Sequence, residues 1–265
     1  MSTRKQKQQR LIITLFVLQL LLLAGIAAIK WQDKQKTGEL PQDTSTATDL
    51  LIERPDFAPI KIHRNDNHWQ VTEPCDIRAN AQRIEPLLGA LAGSAHQYAI
   101  NEVDLDAAGL LKPHASVTID QTRIDMGETD ASEQRRYIRR GNAVEFAPEW
   151  ILSLVNGGLS ALADLTLFEQ TISNVRRTEV SSTDEAFSTE FIENWQTLSA
   201  RQILTWPQAD APMTTQTSQL IFSLQNESEL VLDVVSNATY TALHFASSSC
   251  AYIIDTSELP VGTHY

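Results

Sequence analysis

The chain has little cysteine, few basic side chains beyond its first segment, and none of the short motifs that mark common active sites. Cys75 and Cys250 are its only cysteines, so no Cys-x-x-Cys spacing exists and a thioredoxin-like centre is excluded. The six histidines (His63, His68, His96, His114, His244, His264) form no His-Glu-x-x-His pattern. His63, His68 and Asp66 flank one turn, yet no metal site is expected from so loose a grouping. No phosphate-cradling loop or dinucleotide fingerprint occurs, and no cofactor is expected.

Two other groupings read as structural. Ser94 and His96 lie outside any Gly-x-Ser-x-Gly elbow, and residues two apart sit on different sides of a helix. Glu102, Asp104 and Asp106 crowd one loop, whereas a glycosidase needs carboxylates facing each other across a cleft. The expectation is a protein that is not an enzyme.

Five of the 21 basic residues lie in the first thirty positions, where there is no acidic one, leaving 16 against all 33 acidic residues beyond. A body that negative repels phosphate backbones, so nucleic acid is not expected as a partner.

Residues 11–29 read LIITLFVLQLLLLAGIAAI, with Gln19 the only strongly polar member. At 1.5 Å per residue such a helix covers roughly 28 Å, close to the hydrocarbon core. A signal peptide would carry a shorter apolar run before its cleavage site. Arg4, Lys5, Lys7 and Arg10 precede the segment, while Lys30, Lys34 and Lys36 after it are diluted by Asp33, Glu39 and Asp43. The positive-inside bias therefore places residues 1–10 in the cytoplasm and the rest in a bacterial periplasm, with the inner membrane as a partner through residues 11–29.

Residues 30–49 have linker composition. Beyond them, residues 60–64 and 69–71 alternate around an Asn-Asp-Asn turn, a hairpin pattern. Residues 80–93 place Ile84, Leu87, Leu88 and Leu91 at helical spacing, with Pro86 as a potential kink. Residues 117–119 and 123–126 read as strands, 127–133 as a polar turn, and 137–140 with 143–146 as a second hairpin across Gly141-Asn142. A short helix starts near Pro148 and ends at Gly157-Gly158. A strand (172–180), a helix (188–200) and four further strands then follow the same order at an offset of roughly 105 residues. The expected fold class is α+β: a single N-terminal transmembrane helix plus two similar modules of antiparallel sheet with a packed helix, over 50–168 and 169–265.

Several motifs carry a family resemblance. Trp69 and Val71 precede Pro74; residues 78–84 (RANAQRI) lead into Leu87, Leu88 and Leu91; Gly109, Leu110 and Pro113 precede residues 117–119; and Asp164 opens a closing segment. In this order they resemble a family of bacterial membrane-anchored proteins catalogued as domain of unknown function 4340. Cys75 and the second half depart from that pattern. The resemblance implies an envelope protein, in some genomes encoded beside ABC-type export components, and transfers no catalytic residue.

Two groups remain as candidates. In an oxidising periplasm Cys75 and Cys250 could pair, tying the first module to the last strands; the alternative is that Cys250 is a buried small hydrophobe. Arg135, Arg136, Arg139 and Arg140 gather near one hairpin of an acidic body, either paired with acidic neighbours or marking a partner surface. Strand alternation sends Arg139 and Arg140 to opposite faces. The expected function is an accessory or assembly component of an envelope complex with protein partners in the membrane or periplasm. The alternative is a binding module for cell-wall glycan or peptide, with Trp69, Trp150, Trp195 and Trp206 as candidate stacking residues.

Overall fold

The computed structural model describes Gln19 and residues 46–263, apart from 67, 94–96, 131–133, 178–186, 207–215 and 261–262. Short alternating apolar runs separated by tight turns dominate this region, and they form two antiparallel sheets. The first contains β1 (Asp49–Glu53), β2 (Ile60–Asn65), β3 (His68–Glu73), β4 (Ile77–Arg78), β5 (Tyr98–Ala99), β6 (Ala115–Ile119), β7 (Thr122–Asp130), β8 (Arg135–Arg140) and β9 (Ala143–Pro148). Their spatial order is β4-β3-β2-β1-β6-β7-β8-β9-β5. Helix α1 (Ala81–Leu91) runs between β4 and β5 in the chain, and α2 (Trp150–Asn156) and α3 (Gly158–Leu162) follow β9.

The second sheet is built from β10 (Ile172–Arg177), β11 (Gln202–Thr205), β12 (Gln216–Leu224), β13 (Glu229–Ser236), β14 (Tyr240–Phe245) and β15 (Cys250–Asp255), in the order β10-β12-β13-β14-β15-β11. Helix α4 (Thr189–Thr197) lies between β10 and β11 in the chain. Its start is set locally: the Ser188 hydroxyl accepts the Phe191 amide at 3.2 Å.

The sheets share a six-strand plan. In each, a lone strand (β1 or β10) pairs with the first strand of a four-strand meander (β6–β9 or β12–β15). The last meander strand pairs with a short edge strand (β5 or β11) that follows a helix (α1 or α4). Only the first sheet continues outward from the lone strand, through β2, β3 and β4.

The expected fold class needs correction. The described chain is mainly antiparallel β in two sheets, with helices of eleven, seven, five and nine residues as covers. One continuous core takes in Leu50, Ile62 and Leu88 from the first half and Trp195, Phe222 and Leu243 from the second. Among the described residues no helix is long and apolar enough to cross a membrane. Residues 11–29 lie outside them except for Gln19, so the transmembrane part of the expected class has no structural support. The differences have local causes: β1 begins where the linker composition ends, β5 and β11 are too short to show alternation, and β7 continues to Asp130 through the expected turn.

Three contacts close the halves onto each other. Cys75 and Cys250 form a disulfide with Cα atoms 5.7 Å apart, and both are buried. Ser249 donates to the Pro74 carbonyl at 3.0 Å, and the Ser160 hydroxyl accepts the Ile203 amide at 2.9 Å. Arg78 lies at this seam, with Nε 2.9 Å from Asp164 and Nη1 3.2 Å from Glu169. Burial raises the Tyr252 phenol above its ordinary value, against the nearby charge of Arg78.

Candidate functional site

A cleft of about 510 Å³ opens between the start of α1 and the segment that leaves β9. Amphipathicity produces it. Helix α1 commits Ile84, Leu87, Leu88 and Leu91 to the core, which turns Gln82, Arg83 and Pro86 outward. Helix α2 commits Ile151, Leu154 and Val155 inward and leaves Trp150 44 % exposed at its first position. The lining is Gln82, Arg83, Pro86, Trp150, Ser153, Leu154 and Ala161.

Each lining residue has a distinct chemistry. Pro86 lies inside α1 rather than in its first turn and offers no N–H to the Gln82 carbonyl. Among the described residues the Arg83 guanidinium has neither an ion pair nor a hydrogen bond. The Asn80 side chain does not cap α1, so the first-turn amides add their partial positive charge nearby. Trp150 supplies an exposed aromatic surface, with Leu154 and Ala161 beside it. The site can hold an apolar group and an anion. It has no nucleophile–base pair, and among the described residues no three His, Cys, Asp or Glu side chains gather as metal ligands.

The second half has a matching opening of about 410 Å³ between α4 and the chain that leaves β15, lined by Asn194, Thr197, Leu198, Ser199, Glu258, Leu259 and Pro260. It has no aromatic lining, and its one charged group, Glu258, lies 3.3 Å from Arg201.

The four hairpin arginines are engaged within their own chain. Arg135 lies over the Phe146 ring at 4.7 Å. Arg136 is buried, donates to the Gly127 carbonyl and to Thr129 Oγ1 at 2.8 Å, and has its guanidinium pushed down by burial against the charges of Glu149 and Glu128. Arg139 meets Asp125 at 2.5 Å, as does Arg123 at 2.9 Å. Burial opposes the charge on Arg123, but Asp125 and Glu53 outweigh it and raise that guanidinium. Arg140 reaches Glu145 at 3.4 Å and donates to the Leu91 carbonyl at 2.5 Å, capping α1.

The remaining sequence candidates are also accounted for. Asp104 accepts the Asp106 and Ala107 amides and Glu102 accepts that of Ala99, so both carboxylates stabilise turns. His63 pairs with Asp49 at 2.7 Å. His244 has a side chain only 15 % exposed, stacks on Trp206 and bonds the Ser248 carbonyl through Nε2 at 2.7 Å. Ser94 and His96 lie outside the described residues. Trp69 and Trp195 are buried, leaving Trp150 as the well-exposed member of the four candidates. Sequence reasoning missed Gln82, Arg83 and Ser153; a helical wheel marks the first two as outward but cannot say what faces them.

No family model matches the chain, and no curated protein or solved structure matches it significantly. The family resemblance therefore rests on its motifs alone.

Proposed function

We propose that this protein is a non-enzymatic accessory or assembly component of a bacterial envelope complex, held at the inner membrane with its folded body on the periplasmic side. The observation that carries this reading is the buried Cys75–Cys250 disulfide, which joins the two sheets across 175 residues. Such a bond forms and persists in oxidising compartments. The apolar run at residues 11–29 and the basic residues before it provide the tether and its direction in this reading. A non-catalytic role is supported by the way the charged groups with large burial, Asp125, Arg136, Arg140 and Glu145, are tied into the sheet.

The test is crosslinking of the full chain in cells, followed by mild detergent extraction. Defined membrane or periplasmic proteins should be recovered with it, and the two thiols should resist alkylation until the chain is unfolded and reduced. Recovery of the chain alone, or free thiols in the native protein, sinks the reading.

A second reading, a binding module for cell-wall glycan or peptide, is favoured by the exposure of Trp150 in the α1–α2 cleft.

A further inference from the structure

We infer that the α1–α2 cleft captures the C-terminal carboxylate and apolar last side chain of a partner polypeptide. This rests on the accessory-component reading and names what the partner presents.

Charge is the first argument. The whole chain carries a formal charge of −12, yet the charged side chain lining this cleft is an arginine with no partner among the described residues. Most arginines of the first sheet that face neighbouring chain have a carboxylate or a carbonyl within reach, as Arg54, Arg78, Arg123, Arg139 and Arg140 do. An unpaired guanidinium beside a concave surface is complementary to a carboxylate, which it can hold through two parallel N–H donors.

The second argument is the balance of the lining. Trp150, Leu154, Ala161 and Pro86 offer apolar surface, and the polar side chains besides Arg83 are Gln82 and Ser153. A saccharide brings many hydroxyls that need partners, more than these groups can satisfy. An internal acidic segment would bring two flanking peptide groups into the cleft. A chain end brings one, and it carries its carboxylate and its last side chain on the same carbon. The volume of about 510 Å³ falls in the usual range for a small-ligand site.

The topologically matching opening in the second half serves as an internal control. It presents Glu258 in place of an arginine and has no aromatic residue, so the same chain end should not enter it.

The experiment uses the full-length chain in detergent, titrated with an N-acetylated tetrapeptide ending in leucine and followed by calorimetry. Three further probes are its C-terminal amide, the same peptide with an internal aspartate and an amidated end, and N,N′-diacetylchitobiose. The free-acid peptide should bind with Kd below about 1 mM, and amidation should weaken it roughly tenfold or more. Arg83→Gln should give a similar tenfold loss, Arg83→Lys a smaller one, and Trp150→Ala a loss with either end group. Glu258→Gln should change nothing. Both lining residues are exposed, so a thermal scan matching the parent shows that each variant is folded.

Equal binding of acid and amide overturns the proposal, as does tighter binding of the internal aspartate peptide or of chitobiose, or no binding at all. The crosslinking experiment has a separate readout. Partners recovered there while no peptide binds would leave the accessory reading standing and remove this site from it.

Discussion

The two sheets follow one strand plan and reach stability by different chemistry. The first half fills its core with aliphatic side chains around a single tryptophan, Trp69, and places Arg136, Arg140 and Glu145 on strands β8 and β9 among them. The second is aromatic. Trp195 meets Phe222 at 5.1 Å and Phe191 at 6.3 Å, and Phe222 meets Phe168 at 4.7 Å. The tryptophans differ in their polar ends. Trp69 donates to Glu85 at 2.8 Å and so ties β3 to α1, while the buried Trp195 indole N–H has no acceptor among the described residues. The topology sets which strands neighbour each other. The residue types set whether the space between sheet and helix is closed by polar ties or by aromatic packing.

The disulfide is the covalent joint between these halves, and removing it should have the largest effect. A closed loop with a sequence separation of 175 is worth about 5 kcal/mol by chain entropy, and the Cys75→Ser, Cys250→Ser double variant should lose about 3–5 kcal/mol in urea unfolding. Loss of the single cooperative transition, with the sheets melting apart, would mark the disulfide as the coupling itself. An unchanged midpoint would mark the shared apolar core as the coupling instead.

Next comes the polar tie peculiar to the first half. Glu145 is fully buried, and Glu145→Ala removes the carboxylate that balances the Arg140 charge, leaving that guanidinium its bond to the Leu91 carbonyl. A loss of about 3 kcal/mol is expected by the same assay, concentrated in the amides of β8 and β9 by hydrogen exchange.

Gly158, at the junction of α2 and α3, has φ +63°, and a Cβ there would lie 2.6 Å from the Arg54 guanidinium. That guanidinium donates to the Asn156 carbonyl at 3.2 Å, closing α2, and burial pushes its pKa down. Gly158→Ala should cost about 1–3 kcal/mol in thermal unfolding. Among the described residues the second half has no equivalent position: a single short 3-10 turn, residues 256–258, follows β15 where two helices follow β9.

The tryptophan pair sharpens the comparison at smaller scale. Trp69→Phe forfeits a hydrogen bond to a carboxylate, and Trp195→Phe forfeits none, so the first should exceed the second by about 1 kcal/mol. The reverse order in paired denaturation curves would show that shape, not the polar end, decides both positions.

The smallest effect belongs to Asp49. Hydrogen bonds from His63 and then Thr48 hold its carboxyl below the ordinary value of 3.8. A depressed folded-state pKa contributes stability that is present above the unfolded value and is lost as pH falls through the folded one. Asp49→Asn should therefore narrow the gap to the parent only below about pH 4, and by little, because the pair is exposed. A gap that widens on acidification would contradict this.

Much of the sheet was legible from residue alternation. β2 with β3, β6 with β7, and β8 with β9 lie where alternation and turn residues put them, because each is a local pairing across a short turn. β1 was not, although it is central to the first sheet: its partners are β2 and the distant β6, and five residues beside a polar linker carry too little pattern. Pro86 marked a potential kink in α1, and the helix runs through it from Ala81 to Leu91, since its burial of Ile84, Leu87, Leu88 and Leu91 outweighs one missing backbone hydrogen bond. Trp150 was recognised as a candidate by type. Arg83 was not, because being unpaired is a property of its neighbours.

By itself the sequence determined the acidic charge of the body, the apolar run at residues 11–29, the absence of familiar catalytic motifs and the local hairpins, all of which depend on residues close together in the chain. Tertiary structure decided that Cys75 meets Cys250, that the hairpin arginines turn to their own chain, and that Arg83 and Trp150 line one cleft. The disulfide and the cleft join elements far apart in sequence, the arginines find partners on neighbouring strands, and only the packing of helices against the two sheets sets which side chains find a partner and which are left facing solvent.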